Sequence, residues 1–225
     1  MVLRMACPTK RQGSDNWYFR RQIPADVRAI LEGLPKSQRP VNWYRTHISI
    51  SLKTADRAAA KALCPEIAAR VESQMATLRA GPCPLSHKQV VALSGELYKA
   101  FAEGLEDNPR ISAEAWRKVA EDNEAARRGD YGLVARLGIH STATDRRRAS
   151  LDKRFGAITD AFLRKRGIIT DGESRQKLIE HLSIDLSEAA KKLARNAEGD
   201  YSPDEYVKRF PKLERNREGS WATIP

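Results

Sequence analysis

Apolar and polar residues alternate strictly between Arg45 and Lys53. A period of two is typical of a strand that has one face in a protein core and the other in water. The stretch therefore predicts a strand with one buried face, which we call the dry face, and one solvent-exposed face, which we call the wet face. The residues of the wet face are Arg45, His47, Ser49, Ser51 and Lys53.

Two further stretches predict partners for this strand. Residues 17–23 are rich in aromatic side chains, follow the turn-forming residues 13–16 and end before a proline. Residues 2–6 predict a third, shorter strand, and residues 24–31 predict a short helix in the connection. We therefore expect a small N-terminal antiparallel β-sheet of about three strands.

A long helix is predicted behind this sheet. Apolar residues recur at helical spacing over residues 60–78, after Thr54 and Asp56, which are both suited to cap a helix start. The helix is expected to cover the dry face of the sheet. Pro65 lies inside the pattern and predicts a kink or a split near Leu63, because proline removes a helical hydrogen bond.

The remainder of the chain has an all-helical pattern. Residues 81–84, Gly-Pro-Cys-Pro, interrupt the preceding helix and predict a linker. Helix-capping residues and helical spacing then recur through residues 84–213. In this region Ser183 or Asp185 predicts the start of a new helix, and Ser202 predicts the start of a later one.

These elements predict an α+β fold: a small antiparallel sheet backed by a long helix, followed by an all-helical region. The sheet and its helix are assigned to residues 1–80, and the helical region to residues 84–213. Residues 214–225 are polar and too few to form a core, so we expect them to be a linker.

The charge of the chain is concentrated in its first third. Lysine and arginine number 40 against 29 acids, for a formal net charge of +11 and a pI near 9.8. Residues 1–80 contain 14 of these cations and 6 acids, a balance of +8. A polyanion is therefore the first partner to expect for the N-terminal region.

The wet face of the predicted sheet combines cations with aromatic and hydrogen-bonding side chains. A two-stranded ribbon fits the major groove of B-DNA, where arginine can bind guanine through two hydrogen bonds. The alternative is an ordinary antiparallel sheet whose solvated face carries lysine and arginine against aggregation. The candidate DNA-binding residues are Arg4, Tyr18, Arg20, Gln22, Arg45, His47, Ser49 and Lys53.

Other classes of function have little support in the sequence. The chain lacks the phosphate-binding, nucleophile-elbow and zinc-protease motifs. Cys83 and His87 have the spacing of half a metal site, but no second half accompanies them, so we expect neither metal nor cofactor. Three cysteines without C-x-x-C spacing, no secretory signal and no long apolar run favour a cytoplasmic protein without membrane contact.

Two stretches resemble a known family. Residues 17–28, WYFRRQIPADVR, and residues 48–60, ISISLKTADRAAA, are similar to the N-terminal module of phage-type tyrosine recombinases, the site-specific integrases. Lys53 stands where glycine is common in that module. A second segment, residues 199–204 with residues 209–211, resembles the end of the helical region in the same proteins.

The resemblance implies an arm-type DNA-binding domain that precedes a core-binding domain and a catalytic domain. It further implies a role in DNA integration and recombination of a phage or mobile element, at attachment-type sites on double-stranded DNA. Catalysis in this family uses arginines, a lysine, a His-x-x-Arg box and a tyrosine, but no His-x-x-Arg occurs in this chain. We therefore expect noncatalytic DNA binding, with residues 214–225 leading toward a missing core-binding domain.

Two alternatives remain at this point. The helices of residues 86–210 could form a protein-interaction or oligomerisation module that pairs with a second copy of the chain or with another protein. The chain could also be a truncated integrase remnant that folds without activity.

Overall fold

The computed structural model describes residues 8–34, 39–133 and 142–213 and confirms the predicted α+β fold class. The chain divides into two compact units. The N-terminal unit comprises residues 1–82 together with 163–169, and the helical unit comprises residues 83–162 together with 170–225.

The N-terminal unit contains a three-stranded antiparallel sheet in the order β1, β2, β3. The strands are β1 (Thr9–Lys10), β2 (Trp17–Gln22) and β3 (His47–Ser51). The strand predicted at residues 2–6 lies outside the described residues, and Thr9–Lys10 is the third strand that the structure shows. Gly13, with a φ of +79°, lies in the turn between β1 and β2.

Two whole helices lie in this unit. Helix α1 is Ala25–Gly33, and α2 is Arg57–Ala80, which begins after Asp56. The Asp56 carboxylate accepts hydrogen bonds from the backbone N–H groups of Ala58 and Ala59. The buried core residues are Phe19, Ile23, Val27, Leu31, Ile48, Leu52, Ala60, Cys64, Val71, Met75 and Leu78.

Helix α2 runs without interruption through Pro65, so the predicted split near Leu63 does not occur. Pro65 is exposed, whereas Cys64 and Val71 on the opposite side are buried in the core. Proline leaves the backbone carbonyl one turn earlier without its helical N–H partner, and on this exposed side that carbonyl can bind water. Burial of the opposite, apolar side keeps the residues before and after Pro65 in one helix.

The helical unit is formed largely by long helices. Their bounds are α3 (His87–Gly104), α4 (Ala113–Arg128), α5 (Ala143–Leu151), α6 (Ala157–Arg166) and α7 (Gly172–Ala197), with a π-helical turn Asp152–Gly156 and a 3-10 helix Glu205–Arg209. Ser86 and Gln89 form a capping box at the start of α3.

The helix start predicted at Ser183 or Asp185 is wrong, because α7 continues through both residues. The Ser183 hydroxyl donates to the backbone carbonyl of Glu180 at 2.7 Å, and Asp185 is buried as a hydrogen-bond acceptor for side chains of other elements. The helix predicted from Ser202 instead starts at Glu205 as a 3-10 helix. Asp204, whose carboxylate accepts from the backbone N–H of Tyr206, is its cap.

Candidate nucleic-acid interface

The register of β2 and β3 places the polar side chains on one face of the sheet. Arg20 is paired with Ser49 and Gln22 with His47, while Phe19, one residue away, is fully buried. Since successive side chains of a strand point to opposite sides, the paired polar residues lie on the face away from the core. We call this the outer face; its paired residues are Tyr18, Arg20, Gln22, His47, Ser49 and Ser51.

The outer face contains an open depression of about 400 Å³. The cationic side chains on this face are those of Arg11 and Arg20, because Lys10 is paired with Trp17 on the core side of the sheet, and no lining residue is an acid. The local potential is therefore positive. The depression is lined by Thr9, Lys10, Arg11, Gln12, Tyr18, Arg20, Tyr44, His47 and Ser49.

Arg20 is the cation on the central strand of this surface. No carboxylate among the described residues forms an ion pair with Arg20, and its side chain is exposed. The neighbouring Arg21 lies on the other side of β2, where its guanidinium is 2.5 Å from the Glu72 carboxylate of α2. The two adjacent arginines therefore differ in role: Arg21 joins strand to helix, and Arg20 is available to a ligand.

Aromatic rings border the depression. The Tyr18 hydroxyl is 3.3 Å from the Ser14 hydroxyl. The ring of Tyr44 stacks on the ring of His47, with centroids 5.1 Å apart and planes 23° apart. Lys10 does not belong to this border: it is paired with Trp17 on the core side of the sheet, with 5.7 Å from its Nζ to the centroid of the Trp17 ring. These contacts restrict the conformations of the side chains that a ligand would contact.

Four predicted site residues, Tyr18, Arg20, His47 and Ser49, line the depression together. Gln22 is exposed on the same face, opposite His47. Which of these residues contact DNA stays a prediction.

The strand predicted to begin at Arg45 starts at His47 instead. Arg45 lies in a tight turn closed by a 2.8 Å hydrogen bond from the Tyr44 N–H to the His47 carbonyl. It is exposed but does not line the depression. Lys53 lies beyond the other end of β3, which ends at Ser51, and Arg4 falls outside the described residues.

Sequence reasoning missed five residues that line the depression: Thr9, Lys10, Arg11, Gln12 and Tyr44. A strand of two residues has no detectable alternation, so β1 could not be recognised from hydrophobic pattern. The signal that was available is the cationic pair Lys10-Arg11 directly before the turn at Gly13.

Lys53 adopts a backbone conformation that favours glycine, with a φ of +53°. We expect Lys53→Gly to raise the free energy of unfolding by about 0.5 kcal/mol, because relief of strain outweighs the added freedom of the unfolded chain. The control Lys61→Gly, in the interior of α2, should lower it by about 1 kcal/mol. Urea denaturation of the three proteins gives the comparison, and equal losses for both variants would contradict the expectation.

A second polar cluster lies in the helical unit. Buried Asp185 accepts hydrogen bonds from the hydroxyls of Ser94 and Tyr206, and Arg209 donates to the Tyr206 oxygen at 2.7 Å. Burial and the hydrogen bond to Asp185 raise the pKa of Tyr206 far above its usual value, so the phenolate is disfavoured. This cluster fastens the 3-10 helix to α3 and α7.

The described residues contain neither a metal-binding cluster nor a membrane-spanning helix. Within the ranges that the structure describes, no three histidine, cysteine, aspartate or glutamate side chains come close enough together to hold a metal ion. None of the helices in those ranges combines the length and the apolar character that a membrane-spanning segment needs.

The N-terminal unit is thus a small antiparallel sheet with a helix on one face and a cationic depression on the other. Residues 9–80 match the model of DUF6538, a domain of unknown function, and this match covers less than half of the chain. Neither the curated proteins nor the solved structures include a significant match to the chain.

Proposed function

We propose that the N-terminal unit binds double-stranded DNA without cutting it, through the outer face of its sheet. The observation that carries the proposal is the depression, which is lined by the cationic side chains of Arg11 and Arg20 and by no acidic residue. Phosphate groups of a duplex are the polyanion that such a surface is suited to contact.

The shape of the unit supports a duplex as the ligand. Strands β2 and β3 form a two-stranded ribbon whose polar side chains project away from the core, and a ribbon of this width fits a major groove. The ordinary solvated sheet remains the competing interpretation, since exposed strands often carry cations. The concentration of positive charge around a concave surface, with no acid among its lining residues, favours DNA.

We further propose that the unit positions a tyrosine-recombinase-type integrase on attachment-type DNA. The support is the resemblance of residues 17–28 and 48–60 to the N-terminal module of those enzymes. The reading frame of this chain, or an adjacent one, should then encode the His-x-x-Arg box and tyrosine of a recombinase catalytic domain. Their absence from both would leave DNA binding without a role in recombination.

Arg20→Ala should weaken DNA binding about tenfold and make the slope of log affinity against log salt less steep by about 1. The reason is the loss of a cation that no described carboxylate neutralises. Fluorescence anisotropy with a labelled duplex over a salt series measures both quantities on the whole chain.

Arg117→Ala is the matched control. Arg117 is an exposed arginine of the helical unit that is ion-paired with Glu198, and its removal changes the net charge equally. We expect this variant to bind DNA like the parent protein. Binding that ignores salt, or equal losses for the two variants, would show that the outer face is not the DNA-binding surface.

A further inference from the structure

Tyr44 is held at the edge of the depression with its ring open to solvent. Its exposed fraction is 51% although one ring face lies on His47. Much of the residue is therefore accessible away from its contact with His47. A single exposed tyrosine is common on protein surfaces, so its surroundings must decide whether it has a role.

The backbone around Tyr44 is fixed by a short hairpin. The Tyr44 N–H donates to the His47 carbonyl at 2.8 Å, and the Ser49 N–H donates to the Asn42 carbonyl at 3.0 Å. Trp43 and Ile48 form a β-bridge within the same hairpin. Ring stacking and backbone pairing together hold the ring in one orientation, so a ligand that stacks on it has little further ordering to impose.

The chemistry next to Tyr44 fits a nucleotide. The depression has a volume of about 400 Å³, which falls within the range of roughly 300–1,000 Å³ typical of small-ligand pockets. It presents a flat aromatic ring together with the cations Arg11 and Arg20. An aromatic ring binds the face of a nucleobase, and cations bind the phosphates on either side of it.

We propose that the depression binds one unpaired nucleotide of a DNA strand, with its base on the exposed ring of Tyr44 and its phosphates on Arg11 and Arg20. The inference rests on the proposed function, because it assumes that DNA lies on the outer face. A base inside a duplex is covered on both faces by its neighbours and offers only its edges in the grooves. Tyr44 can therefore stack only on a base that is bulged, flipped or single-stranded.

The test compares three labelled DNAs of equal length with the whole chain. They are a perfect duplex, a duplex with one bulged nucleotide, and a duplex in which the bulged nucleotide is abasic. We expect the bulged DNA to bind about tenfold more tightly than the other two, the size of one base–aromatic contact. The abasic bulge separates stacking from the flexibility of the backbone.

Variants of Tyr44 assign the preference to its ring. Tyr44→Phe keeps the ring and should keep the preference for the bulged DNA, whereas Tyr44→Leu should abolish it. Tyr201→Leu, which removes a tyrosine of the helical unit with an exposed fraction of 55%, is the matched control and should leave the preference unchanged. Circular dichroism of each variant confirms that it is folded.

The possible failures are distinguishable. If all three DNAs bind equally and their binding depends on salt and on Arg20, the inference about Tyr44 is overturned while the proposed DNA binding stands. A preference that survives in Tyr44→Leu overturns the inference in the same way. If none of the three DNAs binds, both proposals fail.

Discussion

Asp185→Ala is expected to lower the free energy of unfolding by about 3–4 kcal/mol. Asp185 has an exposed fraction of 2% and accepts hydrogen bonds from Ser94 and, at 2.7 Å, from Tyr206. A hydrogen bond to a charged group contributes about 1.5–3 kcal/mol, and its removal leaves two hydroxyls of the packed unit without an acceptor. Urea denaturation followed by circular dichroism measures the loss.

Two comparisons make this prediction specific. Asp185→Asn keeps an acceptor of the same shape and should cost less than alanine, and the pKa of Tyr206 should fall because the negative charge is gone. Glu121→Ala removes an exposed carboxylate of α4 and should change stability by less than about 0.5 kcal/mol. An Asp185→Ala loss no larger than that of Glu121→Ala would mean that the buried cluster contributes nothing to stability.

Gly95→Ala is expected to lower the free energy of unfolding by about 2–4 kcal/mol. A Cβ at this position of α3 would lie 2.5 Å from the Cβ of Phe210 and still closer to its Cγ. These atoms are at the base of the side chain, so a rotamer change cannot clear the space and the segment that carries Phe210 must shift. The helix preference for alanine over glycine, about 1 kcal/mol, offsets only part of the cost.

Gly104→Ala is the control within the same helix. No atom lies within 4 Å of a Cβ built there, so this variant should be as stable as the parent protein or slightly more stable. In the background of Phe210→Gly, the Gly95→Ala substitution should cost little, because the colliding Cβ and ring are both absent. A full loss in that background would place the conflict elsewhere than at Phe210.

Substitutions in the proposed interface and substitutions in the buried helical unit are expected to change different properties of the protein. Arg20 and Tyr44 are exposed and belong to the N-terminal unit, so their replacement should change binding more than stability. Asp185 and Gly95 are buried in the helical unit, so their replacement should change stability. Measurement of both quantities for all four positions therefore separates a binding residue from a packing residue.

Periodicity identified the main elements of the N-terminal unit because each repeats over several residues. The alternation around Ile48 and the helical spacing that includes Val71 and Met75 report which side of an element is buried. The same reasoning failed at Ser183 and Asp185, which look like helix caps in sequence. Their polar atoms bind partners within the unit instead, so the helix continues through them.

Part of the candidate site could be predicted from the sequence for a similar reason. Strand alternation placed Arg20 and Ser49 on one face, and the structure pairs them across β2 and β3. Tyr44 lies in a hairpin turn, where side-chain direction depends on backbone hydrogen bonds that alternation does not describe.

The amino-acid sequence by itself determined the α+β class, the long helix behind the sheet and the polar character of the outer face. These properties follow from the order of apolar and charged residues, which acts locally along each element. Only the tertiary structure decided that Arg11, directly after β1, lines the depression, that Tyr44 stacks on His47 and that Phe210 packs on Gly95. Each of these contacts depends on strand pairing, a turn or side-chain packing. The pattern of apolar and polar residues along the chain does not determine which residues these bring together.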